Sequence, residues 1–477
     1  MHNLASRLRP ACACLILASF VLQPSPAGAV DRYDRVQLRY NATRGVDYVR
    51  LGSPGAPSSQ RPIAIRPWVR INLDGQPNVN VFSKFVPIDV DGDRRFEFLQ
   101  YNGFRTMKLW DLNGRKRWEI ATGGGRVHDQ RAATHRDSVA VLDLDGDGRQ
   151  DIAHCWIVNG KRQLALRRGR DGKLLRAIDL RNDLRSDCHV AAVRTTAYPT
   201  PIILVANQIP GGKGCRHNLI NSWARTVAYD PSGRLLWQRN TCDAGHFVYA
   251  LDENQDGRAE GIFVGRYLLS PTGRIRCTLA NWRRGDHADG VLAADIDPSR
   301  PGFEAIAVGM TGLSLYQAST CRQIWRISPR AIRNPQHMAL ARLQPGSATP
   351  QIVVEERGSE RGARTFLLNA AGKVLAVQRA RANNTMPIQN ANLDGAVGTD
   401  ELIGSWGEVF GAGLSKRASK GWFWRLKGSR VRETRRVPYA GSYGRWQAFP
   451  LVVDLDRDGR DEIVQWSQSF LVVGKAR

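Results

Sequence analysis

The sequence predicts an all-β fold, a β-propeller of four-stranded blades, on three observations. An acidic loop between two apolar strands recurs eight times, a second hairpin follows each of the first seven copies, and after the eighth only one more strand fits. With 477 residues, 42% of them hydrophobic, the chain is long enough for such a ring to bury a full core.

The clearest copies are VAVLDLDGDGRQDIAHCW (139–156) and PLVVDLDRDGRDEIVQW (450–466). FVPIDVDGDRRFEFLQY (85–101) and FVYALDENQDGRAEGIFVG (247–265) keep the same acidic positions. Segments 291–309 and 388–406 carry insertions or losses, and 189–207 and 337–355 keep only the flanking strands. Turn residues in LWDLNGRKRW (109–118), AYDPSGRLLW (228–237), LLSPTGRIRC (268–277) and LLNAAGKVLA (367–376) mark the second hairpins. Eight blades follow by motif count, with seven as the alternative. An N-terminal strand, with Val36–Tyr40 as the candidate, would complete the last blade and close the ring.

Residues 1–29 read as a signal peptide. Arg7 and Arg9 precede the apolar run Ala11–Leu22, and Ala27-Gly28-Ala29 supplies small residues for cleavage after Ala29. Residues 30–477 then form a single propeller domain, secreted or periplasmic, with no membrane insertion expected because no later apolar run is long enough to span a bilayer. The net charge of +25 implies a polyanionic partner. Outside the cytoplasm that partner is an acidic polysaccharide rather than nucleic acid, and a monomer is expected. The six cysteines beyond the signal allow disulfides 155–188, 215–242 and 277–321. The competing assignment is a Zn²⁺ site from Cys215, His217, Cys242 and His246.

The acidic loops suit structural Ca²⁺, since carboxylates at alternate positions and an acid at the ninth can surround one hard cation. The candidate ligand sets are Asp89, Asp91, Asp93 and Glu97; Asp143, Asp145, Asp147 and Asp151; Asp252, Asn254, Asp256 and Glu260; and Asp454, Asp456, Asp458 and Glu462. The bland alternative is that Asp and Gly simply form tight turns.

Strand polarity sends these loops to one face and the reactive residues to the other. His135, His189, His246, His287 and His337 precede the first strand of a blade, His154 follows a second strand, and Trp156, Trp406, Arg266 and Tyr267 stand at the same rim. Cationic and aromatic groups around one mouth suit an acidic sugar chain, and β-elimination at a uronic acid needs a carboxylate neutraliser, a base for the C5 proton and an acid for the leaving oxygen. Any one of these histidines taken singly reads better as a structural residue tying blade to blade, and it is six on one rim, with tryptophans and arginines, that point to a binding face.

At these residues a resemblance appears. The Asp-x-Asp-Gly-Asp-Gly blades resemble FG-GAP or VCBS repeats. His135-Arg-Asp-Ser, the acidic loop and His154-Cys-Trp resemble propeller polysaccharide lyases that cleave ulvan, as does GRYLLSPTGRIRC (265–277). Segment 287–309 is also similar to rhamnogalacturonan lyases. The resemblance implies an exported lyase with His135 and His154 as a histidine pair, Tyr249 as base and acid, and Arg266 and His154 as carboxylate neutralisers. His135 is the alternative base, Tyr267 or His189 could take that role, and His189, His246, Tyr267, His287, Trp156 and Trp406 line the substrate. The competing class is a non-catalytic propeller that binds anionic glycan or a protein partner.

Overall fold

The computed structural model describes residues 65–73, 84–102, 106–121, 139–158, 161–180, 188–207, 225–245, 248–282, 286–343, 349–356, 364–379, 389–393, 401–403, 409–412, 423–425, 451–466 and 470–476. These residues form eight antiparallel four-stranded sheets, seven of them meanders of consecutive strands A to D and one whose strand D comes from the start of the described chain. Blade one is Lys84–Ile88, Glu97–Asn102, Thr106–Trp110 and Lys116–Ala121. Blade two is Val139–Leu142, Asp151–Val158, Lys161–Arg167 and Leu174–Asp179. Blade three is Cys188–Val193, Ile202–Asn207, Arg225–Tyr229 and Leu235–Asn240, and blade four is Val248–Leu251, Gly261–Val264, Tyr267–Leu269 and Ile275–Thr278. Blade five begins at Ala288–Ala294, blade six at Pro335–Ala341 and blade eight, the last, at Leu451–Val453.

The alternation of burial follows from ring geometry. Strand A of each well-described blade is buried, as in Val139–Leu142 and Val248–Leu251, whereas strand D faces outward, as in Leu174–Asp179. The acidic repeats therefore flank an apolar inner wall, and the strand-forming Val, Ile and Leu of the repeats supply it.

The last blade combines both ends of the described chain. Ile65–Asn72 pairs antiparallel with Phe470–Ala476, from Ile65 opposite Ala476 to Asn72 opposite Phe470. The closing strand is thus Ile65–Asn72, while Val36–Tyr40 lies outside the described residues. One apolar cluster joins Ile71, Val453 and Leu471 of this blade to Phe98 and Leu109 of blade one and to Val141 and Ile152 of blade two. Closure is therefore a packing interaction as well as a ladder of hydrogen bonds.

Neighbouring blades are tied by one device. Trp118, Trp237 and Trp325 occupy the same register position in strand D, each just after a bulge, opposite Leu109, Ala228 and Leu315. Each indole N–H donates to a carbonyl in the next blade's hairpin, at Gly169, Pro271 and Ala370. A Cβ at Gly273 would stand 2.4 Å from the Trp237 ring, so the hairpin glycine makes room for the indole. In blade four the same position is Cys277, opposite Leu268, and it forms a disulfide with Cys321 in blade five's hairpin. This confirms the expected 277–321 pair and shows a covalent link standing where the blades of Trp118, Trp237 and Trp325 use an indole.

The first Asp of each acidic loop caps its own turn. Asp143 accepts from the backbone N–H of Gly146 and Gly148, and Asp252 from those of Asp256 and Gly257. The acid that closes the loop, ninth in Asp252–Glu260 and tenth in the two copies with an insertion, reaches back across it: Glu260 accepts from Glu253 N–H, Glu304 from Ile296 N–H and Glu401 from Leu393 N–H. This bond persists in copies that have lost the other acids, so the repeat is first of all a turn motif.

Candidate functional site

The two regions nominated by the sequence differ sharply. In blade two, strand B continues to Val158, so His154 lies mid-strand rather than at the rim. Its side chain is fully buried, Nε2 accepts from Arg167 Nε at 2.9 Å, and Nδ1 lies 3.1 Å from the Cys155 carbonyl. Tyr101 of blade one and Trp156 pack edge-on against the imidazole. Burial, with the Arg167 charge second, pushes the His154 pKa down to about 3. His154 is therefore a neutral strut, which corrects the expectation that it neutralises a substrate carboxylate. Trp156 is half-buried, donates to Gln163 and is covered by the Arg167 guanidinium 4.7 Å from its ring. Its face is already engaged.

Tyr249 is likewise corrected. It is 2% exposed on inner strand Val248–Leu251, belongs to the core of blades four and five, and donates its hydroxyl to the Ala293 carbonyl. A buried phenol engaged in that way has no path to a sugar proton. His189 is buried on strand A of blade three, opposite Ala206. His135, His246 and Trp406 lie outside the described residues.

Arg266, Tyr267 and His287 are brought together. Gly265 and Arg266 form the tight turn between strands B and C of blade four, with Gly265 at φ +52°. The Ala244 carbonyl, just before blade four's strand A, accepts from Arg266 N–H at 2.9 Å and from Ala288 N–H at 3.3 Å. A Cβ on Gly265 would stand 1.8 Å from that oxygen, and one on Gly245 would stand 2.1 Å from the Ala288 carbonyl. Both glycines are required for this close approach, which stitches blade four's rim to the start of blade five.

On that platform Arg266 Nη2 donates to the Cys242 carbonyl at 3.3 Å and to Tyr267 Oη at 3.2 Å, with its guanidinium 5.2 Å from the Tyr267 ring. Tyr267 Oη donates to the same carbonyl at 2.9 Å. Arg266 Nε is buried with no hydrogen-bond partner among the described residues, leaving one N–H of a fixed cation uncommitted. Both side chains are half-buried.

Beside them, His287 Nε2 lies 3.2 Å from Asp289 Oδ1, and Asp289 Oδ2 accepts from Gln336 Nε2 at 2.6 Å. His287 retains 14% side-chain exposure, while Asp289 and Gln336 are buried. Asp286 fixes the backbone by accepting from His287 N–H and Thr311 N–H. This is a carboxylate that holds and polarises an imidazole and is itself held by an amide, the arrangement a proton-transferring histidine requires. His337 pairs across the ladder with Glu355 in blade six, and both are buried.

Asp289 and Gln336 were missed by sequence reasoning. The available signal was an acid two residues after a histidine at the head of an otherwise apolar strand, where a buried charge needs a reason.

On the opposite face, the ligand oxygens of Asp143, Asp145 and Asp147 lie within 4.8 Å of one another, as do those of Asp252, Asp256 and Glu260 and of Asp454, Asp456 and Glu462. These sets fit a hard divalent cation. Burial pushes the Asp252 pKa up to about 7 and the Asp151 pKa up to about 6, with neighbouring acids adding to both. The blade-one set does not converge: Arg117 pairs with Asp91 at 2.7 Å and Glu97 at 3.0 Å. The Zn²⁺ assignment is corrected, because Cys242 is disulfide-bonded and offers no thiolate, while Cys215, His217 and His246 lie outside the described residues. Cys155 is also disulfide-bonded.

No family model matches the chain. Among curated proteins, it is 24% identical over 300 residues to rhamnogalacturonan endolyase YesW of Bacillus subtilis, covering 50% of this chain and 46% of that one. It is 25% identical over 333 residues to rhamnogalacturonan exolyase YesX of the same organism, covering 55% and 51%. The chain thus spans about half the length of the curated relatives it matches. Among solved structures, YesX superposes with a TM-score of 0.61 at 17% identity, covering 88% of this chain and 75% of that one. The Bacillus licheniformis rhamnogalacturonan lyase PL11 superposes with a TM-score of 0.59 at 17% identity, covering 87% and 76%. These superpositions establish the shared all-β propeller fold.

Proposed function

We propose that this chain is a polysaccharide lyase that cleaves a uronate-containing polymer by β-elimination at the rim of blades four to six. The observation that carries this reading is the fixed Arg266 cation stitched through Ala244 and Gly245 to the His287–Asp289 pair. Arg266, half-buried at this rim, takes the uronate carboxylate through its guanidinium and makes the C5 proton acidic. His287 removes that proton while Asp289 stabilises the imidazolium. The C4–O bond breaks, a C4=C5 double bond forms, and the leaving oxygen takes a proton from Tyr267 or water.

The sequence relatives favour an alternating galacturonate and rhamnose backbone over ulvan as the substrate, and the basic character of the chain suits either polyanion. We place Ca²⁺ at the Asp143 and Asp252 loops in a structural role. Export after cleavage near Ala29 agrees with the disulfide-bonded Cys155, Cys242, Cys277 and Cys321. A single propeller domain and a monomeric state complete the reading.

The test is ultraviolet absorbance of the unsaturated uronate after mixing the protein with rhamnogalacturonan, homogalacturonan, ulvan and alginate. A new chromophore with rhamnogalacturonan is expected. Salt-sensitive binding of these polymers with no chromophore from any of them would replace the lyase with a glycan-binding propeller.

A further inference from the structure

We propose that Lys475 is the built-in cation of the last blade's acidic loop, and that this loop is a latent divalent-cation site which the lysine keeps closed. The claim is independent of lyase activity.

Lys475 lies in the strand Phe470–Ala476, which pairs with the closing strand Ile65–Asn72. Its ammonium contacts Asp456, stands 2.9 Å from Asp458 and 3.5 Å from Glu462 Oε1, and lies 5.2 Å from the Trp68 ring centroid. Around the same point, oxygens of Asp454, Asp456 and Glu462 lie within 4.8 Å of one another, a span that one oxygen-coordinated ion fills. The two deepest acids are incompletely satisfied. Asp454 is 8% exposed and Glu462 not at all, yet Asp454 Oδ1 and Glu462 Oε1 have no hydrogen-bond partner. Three ammonium N–H groups cannot serve every oxygen of four carboxylates, whereas a dication draws on all of them at once.

The other loops set the contrast. The Asp252, Asp256 and Glu260 oxygens have no ion-pair partner among the described residues, and the blade-two loop has only the half-buried Arg149, 3.9 Å from Asp147. Blade one uses Arg117 from strand D against Asp91 and Glu97. Blade eight uses a lysine from strand C. Two unrelated positions thus supply a tethered positive charge, in the closing blade and in the blade next to it. In both, part of the loop charge is offset by the chain itself.

Terbium binding to purified full-length protein reads this directly, because an ion in the ammonium's place would sit close to the Trp68 indole. Lys475→Met is expected to bind one more Tb³⁺ per chain than the unaltered protein, with added tryptophan-sensitised emission that Trp68→Phe in the same background removes. Calcium should compete for the added site. Equal stoichiometry in the folded Lys475→Met protein would overturn the proposal. Should Lys475→Met not fold, Asp454→Asn in the otherwise unaltered chain decides the matter: unchanged ion stoichiometry is expected, and loss of one bound ion would show that the loop holds metal despite the lysine.

Discussion

Blade two and the blade four to five rim both present histidine, arginine and an aromatic ring within a few residues, and the structure gives them opposite fates. In blade two the arginine is spent on the histidine itself: Arg167 donates to His154 Nε2 and covers Trp156, and the group is closed off by Tyr101. At the other rim Arg266 retains an uncommitted N–H, and His287 is paired with a carboxylate rather than with a cation. An imidazole facing a guanidinium in a dry pocket is held neutral, whereas His287 faces the carboxylate of Asp289. The partner of the histidine, more than its presence, separates the strut from the candidate base.

The largest effect that sharpens this contrast is expected from His287→Ala, which should lower kcat on rhamnogalacturonan about 10²–10⁴-fold, the range for a lost general base. A variant with kcat near the unaltered value would break it. Arg266→Ala should come next, with a fall of about 10²–10³-fold in kcat/KM from loss of transition-state charge stabilisation. Steady-state rates at several salt concentrations would separate this from weakened long-range steering.

For His154→Ala the expectation lies in stability instead. It leaves the buried Arg167 donor unpaired, at about 1–3 kcal/mol, with kcat of the folded protein retained. Denaturant unfolding measures the loss. Its pH dependence has a defined sign. The native histidine binds its proton only near pH 3, the unfolded one near about 6.5. Between those values the unfolded state holds the extra proton, so this contribution is full above the upper value and is lost as pH falls through the window. His154→Gln should flatten that part of the stability profile.

The smallest effect concerns the opposite face. Burial pushes Asp252 up to about 7 and Asp151 up to about 6, so Ca²⁺ entering those loops must displace protons. Calcium affinity should therefore rise between pH 5 and pH 8, and calorimetry in two buffers of different ionisation enthalpy would register the released protons. A pH-independent affinity would remove these acids from the ligand set.

The architecture was largely legible because a turn motif and an apolar alternation repeat with every blade, and a repeated pattern averages out local ambiguity. Closure by Ile65–Asn72 was not, since that strand carries no acidic loop to announce it. The rim position of Arg266 and Tyr267 was legible because a Gly-Arg-Tyr turn between two strands must lie at a rim. His154 and Tyr249 misled because sequence gives strand order but not where a strand ends or which neighbour fills a side chain's contacts. Asp289 and Gln336 act across the boundary between blades five and six, and such a pairing has no signature in either segment alone.

The measurement that bears most directly on the whole account is kcat for His287→Ala and His154→Gln, read side by side as unsaturated-uronate absorbance with saturating rhamnogalacturonan. The account predicts that the first loses at least about a hundredfold and the second, once folded, keeps its rate. Retained activity in His287→Ala together with loss in a folded His154→Gln would place the chemistry in blade two and contradict it.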